Sequence, residues 1–374
     1  MNRIRQPRVR RGAECLALSD ELLSRICRPS MRILIEMTHP AHVHFFRRAI
    51  SELQERGHKV AVTARDKDVT IQLLNQYGIA FTQLSKMGQT KTSLFGEMLV
   101  RDARLLRFCR RFRPDILTAI SGVYAAHVGW LLRKPVVVWD DTEIATAAHK
   151  ITHPFVTAIY SPDCFKKSFG DKHHLYAGLH ELAYLHPKRF TPDSEVVKGL
   201  GIDPAEKYCI IRFVSWQAHH DAFQHGLAAR DRLRFVEEIA RYARPYITSE
   251  SPLPADLEPY RLNIPVHQIH HVTAFAALYV GEGATMASES AIMGVPSVYV
   301  NTLRAGTIDM LAGYGLIRQT ADTELALQYC IDWLCDCAAK EKCAAARERL
   351  LADKIDVTEY IVATIETYLS PETQ

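Results

Sequence analysis

The 374-residue chain has no run of about 18 or more apolar residues, so no membrane-spanning helix is predicted. Its basic N-terminal stretch lacks an apolar segment, which excludes a secretory signal. No Cys-x-x-Cys pair occurs among its 9 cysteines, which removes the usual framework of a structural zinc site. Their odd number and scatter suit the reduced thiols of a cytoplasmic protein. Strong charge is missing too. The formal net charge is +4, and seven arginines between Arg3 and Arg28 supply it. A nucleic-acid binder would carry a basic face on its folded body, so nucleic acid is not an expected partner. What these absences leave is a globular protein, too long for one ordinary core and long enough for two.

What is present is a rhythm. It starts at Met31, expected to be the natural first residue, with 1–30 a disordered or non-native extension. Residues 32–37 read as a buried strand, followed by the loop 38–42 and helical periodicity over 43–56, which Gly57 closes. Strands are predicted at 59–64, 81–84, 115–120 and 135–139, with helices at 67–77, 93–112 and 123–132. From 187 to 204, prolines, charges and two glycines mark a linker. The rhythm then restarts, with strands at 208–213, 245–248, 276–280 and 297–300 and helices at 229–243 and 285–293. The tail from 322 to 369 reads as mostly helical. Alternation of this length implies right-handed crossovers and parallel sheets. The expected fold class is α/β: two doubly wound Rossmann-like domains facing across a cleft, with ligand at the carboxyl edges of the strands. The expected domains are 31–190 and 206–352. Residues 191–205 link them, and 353–374 form a C-terminal helix that packs back on the first domain.

One segment carries most of the chemistry. From Tyr279 a buried strand runs into the turn Gly281-Glu282-Gly283, a helix starts near Ala284 and Thr285, and Gly294 and Pro296 end it before the next strand. Glycines let a phosphate approach the backbone, and the helix start offers free N–H groups and positive potential. Thr285 adds a hydroxyl, and Glu289, one turn further on the same face, suits ribose hydroxyls. Gly283, Thr285, Glu289, Gly294, Val295 and Pro296 match the donor-binding segment of GT-B glycosyltransferases, including the transferase of peptidoglycan synthesis. The non-hydrolysing UDP-N-acetylglucosamine 2-epimerases share that fold and a similar segment. More narrowly, the runs 180–186, 212–221 and 247–250 resemble the DUF354 family, whose pattern covers about residues 31–316.

The resemblance implies a nucleotide-sugar donor, UDP-linked, on Gly283, Ala284, Thr285, Met286, Glu289 and Glu282, and a sugar or lipid-linked acceptor. It implies no cofactor and no metal. The loop after the first strand carries His39, His42 and His44. In several GT-B transferases a histidine here deprotonates the acceptor, and an ordinary imidazole pKa suits that work. His42 is the expected base, with His39 second. In the cluster Asp140-Asp141-Thr142-Glu143, Asp141 is the third catalytic candidate, orienting a histidine or binding sugar, although such residues also cap helices. Arg212, Ser215 and Trp216, around the first loop of the second domain, are expected near the diphosphate. Glu250 and His270 are expected near the nucleotide. His219, His220 and Asp221 have some look of a metal site, but adjacent histidines do not readily share one ion. The main expectation is a glycosyltransferase of polysaccharide or glycoconjugate synthesis. The alternatives are a sugar-nucleotide 2-epimerase, against which the Ser215–Asp221 loop departs from the epimerases' His-Arg-Arg-Glu-Asn run, and a non-catalytic nucleotide-sugar or glycan binder. Peripheral membrane contact and oligomeric state stay open.

Overall fold

Two parallel sheets organise the chain. The first joins β1 (Arg32–Met37), β2 (Lys59–Asp66), β3 (Thr82–Lys86), β4 (Ile116–Ile120), β5 (Val136–Trp139), β6 (Ala158–Pro162) and β7 (His173–Tyr176) in the order β3-β2-β1-β4-β5-β6-β7. The second joins β8 (Tyr208–Phe213), β9 (Arg244–Ser249), β10 (Leu278–Gly281), β11 (Ser297–Val300) and β12 (Ile317–Thr320) in the order β12-β11-β10-β8-β9. Every pairing is parallel. This is a computed structural model, and it describes residues 30–86, 91–214, 227, 231–249 and 252–369. The two Rossmann-like domains are the fold class that the alternation implies. Among the described residues no helix is long and apolar enough to cross a membrane.

Three strands have no counterpart in the sequence-based expectation: β6, β7 and β12. For β7 and β12 the sequence explains why. β7, His173-His-Leu-Tyr176, has one fully buried position, and β12 is half-exposed beyond Ile317. Both are edge strands, recognised by the neighbour they pair with rather than by an apolar run. The central strands β1, β4, β5 and β10 are almost wholly buried, and there the hydrophobic run marks the strand.

Helix Pro40–Glu55 shows how the local rules act. Proline sits at its first turn, His39 caps it, and Val43, Phe46, Ala49, Ile50 and Leu53 bury one face against the first sheet. The last helix, Val357–Thr367, starts at the cap Asp356 and lies against Pro40–Glu55 and the short helix Leu182–Leu185. Thr358 donates its hydroxyl to the Ala183 carbonyl at 2.6 Å, and Arg56 reaches Glu366 at 2.7 Å. The chain end thus crosses from the second domain to the first.

Each sheet reverses its strand order at one place: between β1 and β4 in the first, and between β8 and β10 in the second. At such a point successive connections leave to opposite faces and open a crevice at the carboxyl ends. The connections that bound the two crevices begin at Thr38, Ser121, Val214 and Glu282, and those from Thr38 and Glu282 lead into the helices that carry His42 and Thr285.

Candidate functional site

A solvent-open cleft of about 530 Å³ lies between the domains. One wall is Asp141, Thr142, Glu143, Ile144 and Glu181; the other is Ala284, Thr285, Ser288, Leu303, Arg304, Ala305 and Thr307. The first set follows β5 and β7, and the second follows β10 and β11, so both walls are carboxyl-edge loops.

On the second wall, helix Ala284–Ile292 starts at Gly283, and no side chain caps it among the described residues. Its first N–H groups keep their positive potential for an outside anion. Other helix starts around the cleft are already served. Helix Pro40–Glu55 has the His39 ring on the Ala41 N–H, at 3.2 Å. Helix Val123–Leu132 has Glu36, whose carboxylate accepts the Ala125 N–H at 3.1 Å. Helix Gly306–Gly313 has Glu143 of the opposite domain on the Gly306 N–H at 3.2 Å. Thr285 is exposed at the open start, while Met286 is half-buried and its carbonyl takes the Ser290 hydroxyl. Of the two turn glycines, Gly281 is the one packing demands, since a Cβ would meet the Tyr279 hydroxyl at 2.4 Å. At Gly283 the nearest atom would lie at 3.5 Å.

The turn is braced from behind. Glu282 is buried and accepts the Val214 N–H at 2.9 Å, with Arg232 at 3.5 Å. Asn301 donates to the Glu282 carbonyl at 3.0 Å and accepts the Leu303 N–H at 2.9 Å. Asn301 is a positioning residue that sequence reasoning missed; its only signal is a polar residue directly after a buried strand. Arg212 lies within β8, on the strand flank of this turn. Glu289 is 5% exposed and joins the domains: its Oε1 accepts the Tyr184 hydroxyl at 2.7 Å and lies 3.0 Å from His270 Nε2. His270 is buried, with the His44 ring against it edge-on at 4.9 Å. Ser215, Trp216, Glu250 and the run His219, His220 and Asp221 lie outside the described residues.

On the first wall the structure gathers His39, His42, Asp141 and His180. His42 Nδ1 accepts the Thr38 N–H at 3.3 Å, as His39 Nδ1 accepts that of Ala41. With Nδ1 occupied as an acceptor, each neutral ring carries its proton on Nε2, which is then a donor. Burial, together with Lys67, lowers the His39 pKa to about 4. Burial and the neighbouring His39 hold His42 well below its ordinary value. Both are neutral near pH 7. The sign for stability follows: the unfolded chain binds protons that the folded state refuses, so stability decreases as pH is lowered. Unfolding midpoints are expected to drop as pH falls from about 6.5 to 4, and His39→Ala should flatten that slope. A His39 share that reaches the full span contributes at most about 3 kcal/mol.

Asp141 faces His180 Nδ1 at 3.1 Å and accepts the Thr142 hydroxyl at 2.9 Å. Burial alone would raise its pKa; the His180 imidazole beside it outweighs that and keeps the carboxyl well below the usual range. His180 in turn is raised above its ordinary value, because the Asp141 carboxylate overrides the cost of burial. Glu181 goes the other way. Burial first, then the Asp141 charge, lift its carboxyl to about 8. Its Oε2 is buried with no hydrogen-bond partner among the described residues. Two carboxyls on one wall are thus pushed apart in acidity, one ionised and one poised near neutral pH, a pattern that marks proton-transfer sites. Glu181 is the second residue sequence reasoning missed. It sits inside the run 180–186, where neither periodicity nor spacing distinguishes it.

The architecture has relatives. The crystal structure of a UDP-GlcNAc 2-epimerase from Neisseria meningitidis bound to UDP-GlcNAc superposes with a TM-score of 0.67 at 12% identity, covering 90% of this chain and 100% of that one. The UDP-GlcNAc 2-epimerase of Methanocaldococcus jannaschii gives 0.62 at 11%, over 90% and 100%. A spinosyn forosaminyltransferase gives 0.64 at 13%, over 91% and 100%. At such identities the likeness shows the fold, that of GT-B glycosyltransferases and these epimerases. In sequence, an uncharacterized protein of Methanocaldococcus jannaschii is 25% identical over 285 residues, 72% of this chain and 81% of that protein. The model of the family described as protein of unknown function (DUF354) matches residues 31–362, and the chain belongs to that family.

Proposed function

We propose that the protein is a GT-B-type glycosyltransferase that uses a nucleotide-sugar donor, UDP-linked, and a sugar or lipid-linked acceptor in polysaccharide or glycoconjugate synthesis. The observation that carries this is the uncapped start of helix Ala284–Ile292, facing the Asp141/Glu181 pair across the cleft. The donor diphosphate sits on the N–H groups of Ala284, Thr285 and Met286, where positive potential stabilises both the bound anion and the charge that grows as the sugar leaves. Glu181 takes the proton of the acceptor hydroxyl. The acceptor oxygen then bonds the anomeric carbon as the bond to the diphosphate breaks. A pKa near 8 suits a base at working pH, whereas the strongly acidic Asp141 is a weak base and serves to keep Glu181 basic. His42 and His39 donate from Nε2 to sugar oxygens. All seven described cysteines are free, which suits a cytoplasmic setting.

A paired acid and base would also serve epimerisation at the sugar C2, and the Asp141/Glu181 pair favours this as the second reading. One experiment separates the two: the protein is incubated with UDP-sugars in deuterium oxide, with and without acceptor sugars. Release of UDP only with acceptor supports transfer. Deuterium at C2 without acceptor supports epimerisation. A donor panel that neither reacts nor raises the melting temperature defeats both, since a ligand at 100 times its Kd stabilises by about 2.7 kcal/mol.

The phosphate seat has its own test. Ala284→Asp adds a carboxylate at the first helical position. An acid there stabilises the free protein by about 0.3–1 kcal/mol. Facing a diphosphate, the same charge repels, and donor affinity is expected to fall more than about tenfold, given about 4 kcal/mol per charge pair at close range. Calorimetry and thermal melts read the two opposite signs. Unchanged donor affinity would move the phosphates elsewhere.

A further inference from the structure

Behind the cleft wall, helix Thr146–Thr152 presents His149 and, at its C-cap, His153. A spacing of four residues puts both rings on one helix face, the arrangement by which paired histidines hold a single ion. The rings are nearly parallel, 18° apart, with centroids 4.8 Å from each other. Their Nε2 atoms converge on Asp140 Oδ2, at 2.9 Å for His149 and 3.7 Å for His153. Asp140 is fully buried and His149 is 6% exposed. Yet Asp140 Oδ2 and both Nε2 atoms are buried without a hydrogen-bond partner among the described residues. The oxygen lies close to the rings but off their N–H directions. Three buried polar atoms that converge at ion-pair distance without a well-aligned hydrogen bond leave a cost that a shared cation removes.

We propose that Asp140, His149 and His153 bind a divalent transition-metal ion, Zn²⁺ by the chemistry of two imidazoles and a carboxylate. Tetrahedral bonds of about 2.0–2.1 Å place ligand atoms about 3.4 Å apart, and the separations of 2.9 and 3.7 Å straddle that value. The surroundings are those of a metal site. The Thr142 N–H donates to Asp140 Oδ1 at 3.0 Å, which turns Oδ2 toward the histidines. Phe169 packs against both rings, at 4.9 and 4.2 Å, and fixes their orientation. His173 is not a ligand: its Nδ1 accepts the Phe169 N–H at 3.3 Å, so its Nε2 holds the proton. Water takes the fourth position. The ion pins the loop that continues into Asp141, Thr142 and Glu143, so it positions one wall of the cleft. This inference stands on its own geometry and does not rest on the transfer reaction.

The test uses the full chain, stripped with a chelator and titrated with Zn²⁺ alone by calorimetry, and with Co²⁺ by absorption. One equivalent per chain is expected, with a rise in melting temperature and the intense visible bands of tetrahedral Co²⁺. His153→Ala, at a half-buried helix end, is expected to weaken Zn²⁺ by at least about 100-fold, the upper end of what loss of an outer partner costs. Absence of saturable uptake by the folded wild-type chain overturns the proposal. So does uptake unchanged in both His149→Ala and His153→Ala. The wild-type Co²⁺ spectrum decides without any variant: bands of an octahedral ion, or thiolate charge-transfer bands from the exposed Cys335 and Cys337, would also sink it.

Discussion

Glu181→Gln is expected to lower the turnover of the proposed transfer by about 10²- to 10⁴-fold, the usual contribution of a positioned proton acceptor, and to leave donor affinity unchanged. The substitution keeps the shape of the side chain, and Oε2 has no hydrogen bond to lose among the described residues. A purely structural Glu181 would therefore show little effect. The pH profile provides the second readout. The active form of a base is the ionised one, so the rate should climb with pH, inflect near the carboxyl's value of about 8, and level off above it. Asp141→Asn removes the negative neighbour that helps to hold Glu181 high, so the inflection should move to lower pH. A variant Glu181→Gln of full activity, or a wild-type profile with no inflection that Asp141→Asn shifts, would remove Glu181 from the chemistry.

The largest expected loss of stability comes from Arg101. It is fully buried, as is Glu36 on β1, and its Nη2 lies 3.0 Å from the Glu36 carboxylate. Its Nη1 donates to Ser85 at 3.0 Å, and its guanidinium covers the Tyr124 ring at 4.6 Å. Burial pushes the Glu36 carboxyl up, and Arg101 and the Ala125 N–H pull it part of the way back. Arg101→Met would leave that carboxyl buried without its counter-charge, which is expected to cost about 3–5 kcal/mol. The double variant Glu36→Leu/Arg101→Met should recover much of the loss, because two matched apolar groups carry no desolvation penalty. Recovery should fall short of complete, since Ala125 then lacks its acceptor at the start of helix Val123–Leu132. Chemical denaturation of the four proteins in the cycle measures the coupling. Additive losses would mean that the pair is not coupled.

Most of the fold is legible in the amino-acid sequence. Buried parallel strands such as β1 and β10 are continuous apolar runs, and helix ends carry proline, glycine or a capping side chain, so local chemistry marks them. Edge strands β7 and β12 are not legible, because half-exposed strands share their composition with loops. Of the site, the start of helix Ala284–Ile292 can be read directly: a strand, two glycines and a helix in succession leave few other geometries. Glu181 cannot, because a carboxyl pKa depends on what burial and tertiary neighbours place around it.

The local sequence by itself determined which segments become strands and helices, and that each sheet is parallel with polar loops at its carboxyl edge. These follow from periodicity and crossover handedness, which act over short stretches. Only the tertiary structure decided which helix starts are already capped and which is open, which carboxyl is held ionised and which is lifted toward neutral pH, and that Asp140, His149 and His153 meet. The acidities are a balance between desolvation and charges that folding brings together from separate segments, as Asp141 and Glu181 are, and the i,i+4 spacing of His149 and His153 does not by itself place Asp140 against them.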